Sequence, residues 1–224
     1  MYDRYYKEFC DEVHRILSSY LFWRMLNNRV ATDKKLLSAL NRTPLSWIVT
    51  RHSLNVTLFI TLGRIFDIDK DAFSVDDLLK CCIDEITSFS LESLRGRKME
   101  GQNGVEPEWL SNYMENSYES TTEDFQRLRS EVAKRRKIFE SVYRPIRHKL
   151  IAHNDKEYMD KADELWEETN ISELEDILWF LNDLKETLFD TYQNGRKPIL
   201  AGREPSLEFY ESDFGRLLDN VKST

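Results

Sequence analysis

PLSWIVTRHSLNVTLFITLGRIF, residues 44–66, is the stretch of sequence that decides the fold. Pro44 suits the first turn of a helix, because the N–H that proline lacks would have no intrahelical partner there. Apolar side chains then occur on most sides of the helical pattern, which is typical of a helix in a protein core or a subunit interface. A strand over residues 56–60 would lack a neighbouring strand joined by a turn. The stretch therefore predicts a central helix.

Apolar residues recur at helical spacing through most of the remaining chain, and the 224 residues include only 7 glycines and 5 prolines. Few turns are expected from so little glycine and proline, which favours long helices over an all-β fold. One of these helices is predicted to run from about Thr122 to about Ala152, with a kink near Pro145. Another is predicted to end at Gly195. The predicted fold class is all-α, a bundle of four to five long helices with a loop insertion.

The predicted division is one helical domain over residues 1–195 and a C-terminal tail with a short helix over 196–224. Residues 95–120 are predicted to be the loop insertion, because residues 95–107 hold three of the seven glycines and a cluster of charges. The tail carries two prolines and two glycines, which indicates irregular structure before one short helix.

Composition and charge limit the classes of function. The net charge of −8 argues against a general nucleic-acid coat, since proteins that bind polyanions non-specifically usually carry a basic excess. Three cysteines without metal-ligand spacing fit a reducing compartment, and neither a metal nor a cofactor is expected. The N-terminus lacks the apolar segment of a signal peptide, and no apolar run is long enough to span a bilayer. We therefore expect a soluble, cytoplasmic protein without a membrane partner.

Positive charge is concentrated between residues 127 and 149, where nine lysines and arginines occur with only two glutamates. One interpretation is a solvated helix face, neutralised by acidic segments such as residues 160–168 and 173–176. The other is a phosphate-binding surface, since the planar guanidinium group of arginine fits phosphate oxygens. The sequence leaves both interpretations open.

RPIRHKLIAHND, residues 144–155, ends this basic stretch and contains two of the four histidines. Histidine can transfer protons near neutral pH, and an adjacent arginine can stabilise charge on a phosphoryl group. Arg147 and His153 are six residues apart, so an undistorted helix would place them about 120° apart around its axis. They can act together only if the helix is distorted or if a second subunit completes the site.

At these residues the chain resembles the HEPN domain superfamily. The segment from Arg147 to His153 is similar to the R-x(4–6)-H signature of these all-helical domains, in which a polar residue commonly follows the arginine. RHKLIAHND, residues 147–155, and LNVTLFITLGRIFD, residues 54–67, are most similar to the abortive-infection (AbiU-type) branch. The resemblance covers roughly residues 1–195.

The resemblance implies a metal-independent endoribonuclease of a phage-defence or toxin-type system, acting as a homodimer with an antitoxin protein as a further partner. It implies that His153 is the general acid or base, that Arg147 holds the scissile phosphate and that His148 orients it. The RNA contacts that we expect nearby are Arg144, Lys149 and Arg136. Asp155 occupies a position that holds a tyrosine in one toxin subtype, so regulation through that tyrosine is not expected here. The alternatives are a non-catalytic helical module that binds a nucleotide, RNA or protein, and a purely structural protein.

Overall fold

The computed structural model describes residues 1–68, 72–152, 167 and 169–223, and these residues contain helices and no strand. The all-α prediction is therefore confirmed. The elements are α1 (Tyr2–Thr32), α2 (Lys34–Leu40), α3 (Pro44–Ile65), α4 (Val75–Asp84), a 3-10 turn (Ile86–Phe89), α5 (Leu91–Met99), α6 (Glu108–Glu115), α7 (Thr122–Ile138), two π-helical segments (Phe139–Tyr143 and Ile146–Ala152), α8 (Ile171–Asn194) and α9 (Glu208–Ser223).

Five of the described helices, α1, α3, α7, α8 and α9, have 16 residues or more. The predicted bundle of four to five helices corresponds to this long set, but it omits the shorter helices that fill in around it. The end of α8 at Asn194 is as predicted. Gly195 follows in the left-handed conformation (φ 57°), and its N–H donates to the Asp190 carbonyl oxygen.

The prediction of a loop over residues 95–120 is wrong in two places. α5 continues through Met99, and residues 108–115 form α6. Each of these helices is held by one fully or almost fully buried leucine, Leu94 in α5 and Leu110 in α6. Burial of these apolar side chains stabilises helices that the local glycine and charge content did not favour.

The core is built around the second half of α3, which packs against α1 and the π-helical segment at Ile146–Ala152. Leu58, Leu62 and Ile65 are buried there. The first half of α3 lies at the surface, where the exposed fractions of Leu45, Ile48 and Val49 are 76%, 62% and 62%. The predicted central helix is therefore central over only half of its length.

The C-terminal tail packs on the helical body. Its helix α9 has 16 residues and is longer than the short helix predicted. Leu218 of α9 is fully buried in a small cluster with leucines of α1 and α2. Before α9, Arg203 donates hydrogen bonds to Asp183 and Asp190 of α8 at 2.8 and 2.7 Å.

Among the described residues, no helix is both long and apolar enough to cross a membrane.

Candidate functional site

The basic stretch contains cations that form salt bridges along α7 and, further on, two arginines, Arg144 and Arg147, that form none with the described residues. Along α7, five cationic side chains form salt bridges with Asp124, Glu131 or Asp76. The interpretation of a neutralised helix face holds for this part, although its acids come from α7 itself and from α4. Glu175, in one of the acidic segments considered above, instead pairs with Arg24 of α1. The five paired cations are Arg127, Arg129, Lys134, Arg135 and Arg136.

Arg136 joins three helices. Its Nε donates to the Phe66 carbonyl oxygen at 3.2 Å, and a terminal nitrogen pairs with Asp76. The side chain is only 14% exposed. The guanidinium group of Arg136 is thus already bound by Asp76 and the Phe66 carbonyl group. It is therefore less accessible for the RNA contact predicted from the sequence.

After Ile138 the helix becomes wider. The Arg144 N–H donates to the Phe139 carbonyl oxygen, five residues earlier, which is the π-helical spacing. Pro145 explains a disturbance here, because proline has no N–H and its ring clashes with the carbonyl four residues before it. The predicted kink near Pro145 thus takes the form of two π-helical segments, a type of distortion that is frequent at functional sites.

Arg147 lies in the second π-helical segment and packs directly on the backbone of Gly63 in α3. A β-carbon built on Gly63 would lie 2.3, 2.5 and 2.7 Å from the Nε, Cδ and Cζ atoms of Arg147. The Arg147 Nε is buried and has no hydrogen-bond partner among the described residues. A buried donor without an acceptor costs about 1–3 kcal/mol, so the fold holds this arginine in place at an energetic cost.

Arg144 and Arg147 border one small cavity of about 50 Å³. Asp67 and Glu140 border the same cavity. Even so, neither arginine forms a salt bridge with a carboxylate in the part of the chain that the structure describes. Two guanidinium groups therefore stay available to an anion at this point, in contrast to the paired cations of α7.

The remaining predicted site residues follow in the same segment. His148 is exposed, and Lys149 is half-buried. His153 lies outside the described residues, as do Asn154 and Asp155. The structure thus places Arg144, Arg147, His148 and Lys149 together on one distorted helix, with Arg136 at its base and engaged elsewhere.

Gly63 is the site residue that the sequence analysis missed. Glycine in a helix interior costs about 1 kcal/mol relative to alanine, and α3 is otherwise strongly apolar around it. A glycine at such a position indicates a close approach by another group. The sequence alone did not identify that group as Arg147, 84 residues later.

A family model described as AbiU2, of the HEPN type, matches residues 2–205 of the chain. The matched range contains α3, Gly63 and the whole Arg147–His153 motif. No curated protein and no solved structure is significantly similar to the chain.

Proposed function

The chain belongs to the AbiU2 family of HEPN domains, and we propose that it is a metal-independent endoribonuclease of a phage-defence or toxin-type system. The observation that carries the proposal is Arg147, a half-buried cation without a salt bridge in the described part of the chain, seated on Gly63. A structural role would normally pair a half-buried arginine with an acid, as the fold does for Arg136.

In the proposed reaction, the 2′-hydroxyl group of a ribose gives its proton to a general base, and its oxygen attacks the adjacent phosphorus atom. The bond from phosphorus to the 5′-oxygen of the next nucleotide breaks, and that oxygen receives a proton. The products are a 2′,3′-cyclic phosphate and a 5′-hydroxyl. Arg147 holds the scissile phosphate and stabilises its charge, while His148 orients it. His153, outside the described residues, exchanges protons with the ribose hydroxyl or the leaving oxygen.

Contacts to the RNA backbone on either side would come from Arg144 and Lys149. Arg144 is exposed and makes no salt bridge in the described part of the chain, which supports this role. Arg136 is a weaker candidate because Asp76 and Phe66 already engage its guanidinium group. The net charge of −8 fits recognition confined to this patch rather than to the whole surface.

We further propose that the protein acts as a homodimer, in which the second subunit completes the site. Support comes from the exposed apolar face of α3 formed by Leu45, Ile48 and Val49. Residues 44–66 contain no aspartate or glutamate, so the face carries no acidic charge that would oppose its burial against another subunit. An antitoxin protein would neutralise such an enzyme in the cell.

The alternative is a module that uses the same unpaired arginines to bind RNA or a nucleotide without cleaving it. Arg144 and Arg147 form no salt bridge with the described residues, and this supports anion binding under both proposals. The two differ in turnover: a binding module leaves RNA intact when it is bound.

The test is cleavage of a set of RNAs by purified protein in the presence of a chelator. We expect Arg147→Ala and His148→Ala to reduce cleavage at least about 100-fold, the size of effect seen when one charge-stabilising group is removed from an active site. Arg129→Ala is the matched control, because Arg129 lies on the same basic stretch and only forms a 3.6 Å pair with Asp76. Intact RNA that is bound by the wild type and released by Arg147→Ala would favour the binding module.

A further inference from the structure

The cavity that Arg144 and Arg147 border has a carboxylate on its wall, Glu140, to which the proposed reaction gives no role. We propose that Glu140 accepts a hydrogen bond from the ribose 2′-hydroxyl group next to the phosphate on Arg147, and that it thereby distinguishes RNA from DNA. This role of Glu140 rests on the proposed function, which places the scissile phosphate on Arg147.

Glu140 is half-buried and has no partner in the described part of the chain. Its side chain forms neither a hydrogen bond nor a salt bridge there. Removal of a carboxylate from water is costly unless hydrogen bonds or an opposite charge compensate for it. Asp124 is compensated in this way, because it accepts from the Thr121 N–H and the Tyr118 hydroxyl at 2.9 Å. Glu140 instead keeps its oxygen atoms available to a donor on a ligand.

The widened helix accounts for the missing salt bridge between Glu140 and Arg144. These residues are four positions apart with the glutamate first, which in a regular α-helix favours a salt bridge. Phe139–Tyr143 is π-helical, and its longer repeat no longer aligns side chains at that spacing. Both side chains border the cavity, and they form no salt bridge with each other. The distortion thus leaves a carboxylate and a guanidinium group available at the same cavity.

The size of the cavity limits the group that can enter it. Its volume is about 50 Å³, and a water molecule needs about 10–15 Å³ of such a space. The cavity therefore has room for a few non-hydrogen atoms, such as phosphate oxygens and a neighbouring hydroxyl group, but not for a base. A ligand would enter it with its sugar–phosphate backbone.

The two kinds of charged group at the cavity match a ribose and its 3′-phosphate. A guanidinium group only donates hydrogen bonds, which suits Arg147 to phosphate oxygens, whereas an ionised carboxylate only accepts them. Glu140 therefore repels the phosphate itself and requires a donor beside it. In RNA the 2′-hydroxyl group supplies that donor, and DNA lacks it. A hydrogen bond to Glu140 would also hold the 2′-oxygen close to the phosphorus atom that it attacks.

The experiment compares two DNA oligonucleotides of one sequence that end in a 3′-phosphate, one on a ribose and the other on a deoxyribose. Neither can be cleaved at that end, because no nucleotide follows to leave. Fluorescence anisotropy with the full chain should show about ten-fold tighter binding of the ribose end, the size expected for a hydrogen bond to a charged group. Glu140→Ala should reduce this preference to about two-fold or less. Glu140→Gln should lie between them, because a neutral acceptor forms a weaker hydrogen bond.

Asp67→Asn is the matched control. Asp67 is a half-buried carboxylate at the same cavity, and it already takes part in another interaction. Loss of either negative charge reduces repulsion of the phosphate and should tighten binding of both ends, but only the Glu140 variants should change the preference between them. Since Glu140 has no described partner, its variants should keep the wild-type melting temperature within about 2 °C.

Cleavage of RNA by the same proteins is measured separately. A preference for the ribose end that Glu140→Ala loses, in a protein that leaves RNA intact, would support the role of Glu140 and contradict the proposed cleavage. Equal binding of the two ends by the wild type, no binding of either end, or a preference that Glu140→Ala retains would overturn the role of Glu140, even in a protein that cleaves RNA.

Discussion

Replacing Gly63 by alanine should disable the site without harming the fold. The added β-carbon would lie 2.3 Å from the Arg147 Nε and 2.5 Å from its Cδ. Since carbon and nitrogen atoms pack at about 3.5 Å or more, the side chain must retreat by roughly 1.2 Å. A misplacement of about 1 Å in a catalytic group can reduce a rate about 100-fold, and we expect a loss of that size in RNA cleavage.

The stability of Gly63→Ala should change little. Alanine in a helix interior is favoured over glycine by about 1 kcal/mol, and the atoms displaced belong to the outer part of a flexible arginine side chain. Moving Arg147 also releases a buried Nε that has no described partner. We therefore expect the free energy of unfolding in urea to stay within about 1 kcal/mol of the wild-type value.

Gly96→Ala is the matched control, because Gly96 also lies in a helix but a β-carbon there would meet no atom within 4 Å. It should gain the same helix propensity and keep full activity. Single-turnover cleavage of a labelled RNA and urea unfolding should be measured on both variants and on Gly63→Ala combined with Arg147→Ala. If Gly63→Ala lowers cleavage only by displacing Arg147, the double variant should cleave RNA no more slowly than Arg147→Ala alone. Full activity of a stable Gly63→Ala protein would refute the reasoning.

Three further predictions concern other parts of the molecule. Asp124→Ala should lower the free energy of unfolding by about 2 kcal/mol, because this carboxylate accepts from the Thr121 N–H and the Tyr118 hydroxyl, both at 2.9 Å. Burial acts to raise the pKa of Asp124, but these hydrogen bonds and Arg127 lower it overall, so the difference between wild type and variant in urea titrations should shrink as the pH falls; a constant difference would contradict this. Burial, with a contribution from the negative charge of Glu173, raises the pKa of Tyr143 to about 12. The neutral, buried tyrosine therefore stabilises the fold fully below pH about 10, and this stabilisation is lost as the pH rises further. Parallel titrations of tyrosinate absorbance and helical circular dichroism should show late ionisation coinciding with unfolding, whereas ionisation of every tyrosine near pH 10 in a folded protein would exclude it. Ile48→Glu should convert a dimer to a folded monomer in sedimentation velocity, and an unchanged dimer would remove α3 from the interface.

The fold class could be predicted from the sequence because its cause is local. Helical spacing of apolar residues and the Asn194–Gly195 stop are both visible in short windows, and both appear in the structure. The widening of the helix around Pro145 was harder to predict. A proline signals that the regular hydrogen bonds fail, but whether the helix bends or widens depends on packing against α3.

The sequence indicated which types of residue occur at the candidate site, but it did not indicate which of the cations form salt bridges. The basic stretch offered nine cations, and the sequence could not separate Arg136, which Asp76 neutralises from 60 residues away, from Arg147, which is left without a salt bridge in the described residues. The contact between Arg147 and Gly63 joins residues that are 84 positions apart in the sequence. Long-range pairings of this kind follow from the packing of α3 and α4 on the basic helix, which local patterns do not encode.

The most direct test of the central claim is the chemistry of the RNA ends formed by wild-type protein in a chelating buffer. Attack of the 2′-hydroxyl oxygen on phosphorus, with departure of the 5′-oxygen, predicts fragments that end in a 2′,3′-cyclic phosphate or begin with a 5′-hydroxyl, and it predicts that Arg147→Ala no longer forms them. Fragments with 5′-phosphate ends, or cyclic phosphate ends formed equally well by Arg147→Ala, would contradict it.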